Sequence, residues 1–169
     1  MKEKLEDLYQ SLYRHVGHHK QLLELVRLEG EILVGADVLK IQDVLNSKTV
    51  LLNSIALEEK RRQGISELLK GHFKKPSEQI TLQEVIHELD GLDPENATRF
   101  RALLNTLTIL VERITEQNRK NGDLIEVALK HVSKMRENII GQENTSSTYT
   151  AKGKQRSGGA GRNLVSKEI

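Results

Sequence analysis

Apolar residues recur along most of the chain at steps of three and four, the period of one helical face. Residues 4–34 carry Leu5, Leu8, Leu12, Val16, Leu23, Val26 and Leu33 on such a stripe, with His19 on the same side. Gly35 suits a C-terminal cap, and Asp37 can cap a new helix. The second helix is expected over about 38–70, with Ile41, Leu45, Leu52, Ile55 and Leu69 as its stripe. The charged run from Leu57 to Arg62 interrupts it and reads as a solvated face, with Glu58 and Arg62 as an i, i+4 pair. A Pro-containing connector follows. Thr81 and Glu84 then fit a capping box before Leu82, Val85, Ile86 and Leu89. Asp93, Pro94 and Glu95 form a third restart.

The last segment is the most regular. Phe100, Leu104, Leu107, Val111, Ile114, Asn118, Asn121, Ile125, Ala128, Val132, Met135 and Ile139 alternate steps of four and three. An unbroken helix over about 95–140 would be roughly 69 Å long. A seven-residue repeat of this length implies coiled-coil packing. Asn118 and Asn121 stand in the seam as a polar layer, which weakens packing but fixes register. Gly122 follows, at a helix cost of about 1 kcal/mol relative to Ala. The layer divides the helix into an upstream packed half and a downstream half with its own stripe, free to dock something else.

These elements predict an all-α fold: an elongated antiparallel helical bundle or coiled coil over 1–140, with a flexible tail over 141–169. The tail is rich in Gly, Ser and Thr and has no period, the composition of a disordered segment. Tyr149 stands out in it, as an anchor or as an aromatic folded back on the helix.

Composition narrows the function. Lys plus Arg is 26 and Asp plus Glu is 24, a formal charge of +2. The tail holds five basic and two acidic residues, 5 − 2 = +3, so residues 1–140 carry 2 − 3 = −1. The body is therefore no basic nucleic-acid platform, and five basic residues over the tail are weak for one. There is no Cys, hence no disulfide framework, thiol nucleophile or thiolate metal site. His15, His18 and His19 have helical metal-ligand spacing but no third ligand, and read as seam or solvated histidines. No phosphate-binding or catalytic motif appears, so the expectation is a non-enzyme without a cofactor or metal. The apolar runs are too short for membrane insertion, and the charged start lacks a signal peptide's apolar core. A cytoplasmic protein is expected.

The residues also resemble a known family. Lys48, Leu51, Leu52 and Glu58 to Arg62, then Asn118, Asn121, Gly122, Leu124 and Ile125, then Tyr149 and Gly153 follow the order found in the FlgN family. Thr150 departs from the Gly often found after the tail Tyr. Members are bacterial flagellar type III export chaperones for hook–filament junction proteins. The resemblance implies a client-binding segment of Leu124, Ile125, Ala128, Val132, Met135 and Ile139. It implies docking of Tyr149 on the cytoplasmic domain of the export gate. The seam is also compatible with a homo-oligomer. The competing reading is a structural coiled-coil scaffold or adaptor that self-associates through the 100–139 seam.

Overall fold

The computed structural model describes residues 1–71 and 80–143. They form four helices: α1 (Lys2–Gly35), α2 (Val38–Lys70), α3 (Leu82–Leu92) and α4 (Pro94–Glu143). The described residues contain no strand, so the chain is all-α. It divides into two compact units, Met1–Ile125 and Glu126–Ile169.

Local chemistry sets the helix ends. Gly35 is the last residue of α1, and Ala36, not Gly35, takes the left-handed conformation at φ 53°. The N–H of Ala36 donates to the Leu33 carbonyl at 3.3 Å. A left-handed Ala carries a Cβ penalty that Gly would avoid. Asp37 then caps α2, accepting from the Lys40 N–H at 3.2 Å. Thr81 and Glu84 close the expected capping box at α3. The Asp93 carboxylate accepts from the Asn96 N–H at 3.3 Å and starts α4.

Within the first unit, α2 runs antiparallel to α1. Lys4 reaches the Leu68 carbonyl, Arg14 pairs with Glu58 at 2.9 Å, and Glu29 pairs with Lys48 at 2.8 Å. The upstream part of α4 lies alongside α1 in the same direction. Tyr9 meets Phe100 edge-on at 5.9 Å, and Asn121 reaches Val26 further along both helices. The bundle is therefore up-down-up, with α3 turning the chain back. Its core joins Leu5, Leu8, Leu12, Val26, Leu69, Leu89 and Phe100. Phe100 is fully buried, and truncating such a residue to Ala costs about 3–5 kcal/mol.

Two expectations about stripes shift by one residue. On α2 the packed positions are Val44, Leu51, Ile55 and Leu69, whereas Leu45 and Leu52 are exposed. On α4, Leu103 and Leu110 are buried, while Leu104 is half-buried and Val111 exposed. The charged run on α2 is also more than a solvated face. Glu58 turns to α1, accepting from Ser11 at 2.7 Å and Arg14 at 2.9 Å. Arg62 pairs with Glu59 at 2.7 Å, not with Glu58.

Candidate functional site

The amide at position 121 is where the bundle changes character. Asn121 is 3% exposed, and both hydrogens of its amide nitrogen are used. It donates to the Val26 carbonyl at 2.8 Å and to Glu29 Oε2 at 2.9 Å. Its Oδ1 accepts from Gln117 Nε2 at 3.0 Å. The same Glu29 oxygen accepts from Lys48 Nζ at 2.8 Å. One buried carboxylate on α1 is thus held by α2 and α4 together. Gly30 makes the approach possible, since a Cβ there would stand 2.6 Å from Asn121 Oδ1. A slip of α4 along α1 would strand the buried Asn121 amide and take one donor from Glu29, which keeps Lys48, and a buried unpaired group costs about 1–3 kcal/mol. The layer therefore fixes register.

Its membership differs from the expected one. Asn118 is exposed, and Gln117 stands beside Asn121 instead. Glu29 and Gly30 were missed by the sequence reading, and Lys48 entered it only through the family resemblance, not as a member of this layer. A signal existed for two of them: Glu29 and Gly30 follow Val26 where the next packed residue of the α1 stripe should fall.

From Gly122 to Ile140 every side chain of α4 is exposed. Leu124, Ile125, Ala128, Val132, Met135 and Ile139 all fall in this stretch, the five larger ones being 39–64% exposed. Val127, Leu129 and Ile140 widen the apolar surface beyond the expected residues. The helix is unbroken at Gly122. In the upstream half of the 100–139 seam, Phe100 and Ile114 are buried in the core of the first unit and Leu104 and Leu107 pack against it, while Val111 is exposed. Tyr149 and most of the 141–169 tail lie outside the described residues.

A second polar cluster braces α1 against α2. His15 is buried, and its Nε2 stands 3.6 Å from Glu59 Oε2 with no hydrogen-bond partner. Burial pushes the His15 pKa below the usual 6.5, with the Glu59 carboxylate pulling the other way. His19 Nδ1 lies 2.7 Å from the His15 carbonyl. These side chains line a cleft of about 440 Å³ with Arg62, Ile80 and Leu107. Glu59 is engaged by Arg62, so no free acid–base pair faces the cleft. Among the described residues, no group of three His, Cys, Asp or Glu could hold a metal ion, and no helix is long and apolar enough to cross a membrane.

Comparison with known proteins adds one finding. A family model described as "FlgN protein" matches residues 1–157. No curated protein and no solved structure matches the chain.

Proposed function

The chain belongs to the FlgN family of flagellar export chaperones, and from that premise we propose that it guards hook–filament junction proteins before export. It binds their C-terminal helical segments on the α4 surface from Leu124 to Ile139. Premature assembly is prevented because the segments that pair in the finished structure are covered. Tyr149 then docks the complex on the cytoplasmic domain of the export gate. The protein works in the cytoplasm and needs no cofactor, because binding and release require no bond to be made or broken.

One observation carries this reading: a continuous helical stripe of large apolar side chains, all exposed, begins just after the polar layer of the bundle. An amphipathic client helix laid along that stripe buries apolar side chains on both partners, each contributing about 1.5–3 kcal/mol when fully covered. Ordering the client offsets part of that gain, which keeps release within reach at the gate.

The test places a charge in the stripe. Val132→Asp and Met135→Asp should each weaken binding of a junction-protein C-terminal peptide by at least about tenfold, since an unpaired charge in an apolar contact is costly. Calorimetry reads the affinity, and circular dichroism should show an unchanged helix content. Unchanged affinity in both variants would put the client surface elsewhere.

A further inference from the structure

The cleft beside His15 joins polar and apolar walls in one space of about 440 Å³. That volume falls in the range of about 300–1,000 Å³ usual for small-ligand sites. Ile55, Ile80, Leu82 and Leu107 supply apolar surface, and His15 and His19, one turn apart on α1, supply ring nitrogens. All of these residues belong to the first unit.

The two rings are set for opposite hydrogen-bonding roles. His19 Nδ1 stands 2.7 Å from the His15 carbonyl, which can only accept, so Nδ1 carries a proton. In the neutral ring, His19 Nε2 then keeps its lone pair. His15 is 5% exposed, and its Nε2 is buried with no hydrogen-bond partner. The Glu59 carboxylate at 3.6 Å is too far for a hydrogen bond but favours a proton on that nitrogen. His15 is thus a buried donor without an acceptor, with an acceptor one turn away.

Charge selects further. Arg62 donates to both Glu59 oxygens, from Nε at 2.8 Å and from Nη2 at 2.7 Å, and Gln63 adds a bond at 2.9 Å. Glu59 and Arg62 therefore satisfy each other. An ammonium or a carboxylate entering the cleft would lose its water and find no free counter-charge. The Thr81 side chain is engaged in the capping box. What fits is a neutral group that both accepts and donates, carried on an apolar body. We propose that the cleft binds a phenol, either a free one or the tyrosine side chain of another polypeptide. Its oxygen accepts from His15 Nε2, its hydrogen goes to His19 Nε2, and its ring covers Ile55 and Leu107. An unsubstituted ring would leave both nitrogens unpaired, and an indole N–H, a donor only, would leave His15 unpaired. A side-chain amide has both roles but lacks the apolar body.

The intact chain titrated with p-cresol and with toluene, followed by nuclear magnetic resonance, tests this. p-Cresol should bind saturably, shift the amide signals of His15, Ile55 and Leu107, and bind about tenfold tighter than toluene. That ratio is the scale of one or two net hydrogen bonds. His15→Phe and His19→Phe each keep a ring and remove one hydrogen-bonding nitrogen. Each should bring the ratio toward one while circular dichroism stays constant. Val111→Trp, at an exposed edge of the cleft, should close it to both compounds. A blocked Gly-Tyr-Gly peptide separates the two sources. Binding as tight as that of p-cresol assigns the cleft to a tyrosine of another chain, and exclusion of the peptide assigns it to a free phenol. Absence of saturable p-cresol binding overturns the proposal. So does equal affinity for p-cresol and toluene in the wild-type chain, or a ratio unchanged in both Phe variants.

Discussion

Replacing Gly30 with Ala sets two effects of opposite sign against each other. On helix propensity alone, Ala in the middle of α1 should stabilise the fold by about 1 kcal/mol. The new Cβ, however, would stand 2.6 Å from Asn121 Oδ1 and 3.0 Å from Gln117 Nε2. Side-chain tips often swing away cheaply, but Asn121 has only two torsions and its amide is held at both ends. Its withdrawal breaks the bond to the Val26 carbonyl, worth about 0.5–1.5 kcal/mol, and the bond to the Glu29 carboxylate, worth about 1.5–3. The loss of about 2–4.5 kcal/mol exceeds the gain of about 1, so Gly30→Ala should destabilise the protein by about 1–3.5 kcal/mol. Urea denaturation followed by circular dichroism measures it. The decisive comparison is the same change in an Asn121→Ala background. There the obstruction is gone, Gln117 is freed of its acceptor, and Gly30→Ala should become neutral or stabilising by up to about 1 kcal/mol. A single mutant as stable as wild type, or an equal penalty in both backgrounds, would refute the role given to the glycine.

Two further expectations concern pH and the tail. His15 has a folded pKa lowered by burial, so the unfolded chain takes up the proton first as pH falls. Its contribution is complete above 6.5 and is lost as pH drops through 6.5 toward the folded value; His15→Leu should flatten urea-unfolding stability in that window without loss at pH 8. Tyr149→Ala should leave affinity for a client peptide intact while weakening the loaded chaperone's binding to the gate's cytoplasmic domain about tenfold or more, the scale of one buried aromatic anchor. Paired titrations separate the two, and equal loss in both would assign Tyr149 to the fold.

The helix order and all three restarts were legible because they depend on neighbours in sequence. Asp37, Thr81 with Glu84, and Asp93 each act within three residues of themselves. What the sequence left open was the side of each stripe. Leu103 and Leu104, and Leu110 and Val111, offer apolar choices at adjacent positions, and only the position of α1 selects the first of each pair. The same one-residue shift replaces Asn118 by Gln117 in the polar layer. Glu58 went astray for a similar reason: its partners, Ser11 and Arg14, sit more than forty residues away. The downstream stripe of α4 was the easiest part of the candidate site to read, since no competing helix alters its period.

The polar layer also orders events during synthesis. Val26, Glu29 and Lys48 are made early, and the α1–α2 hairpin can form from contacts between neighbouring segments. Asn121, which completes the hydrogen bonds of that layer, lies 95 residues after Val26. The apolar stripe from Leu124 to Ile139 leaves the ribosome after Asn121, because translation runs in that direction. The residue that closes the bundle is thus available before the exposed apolar stripe. An open hairpin and an exposed stripe on the same nascent chain are a pairing prone to aggregate, and chain order shortens the time the two coexist.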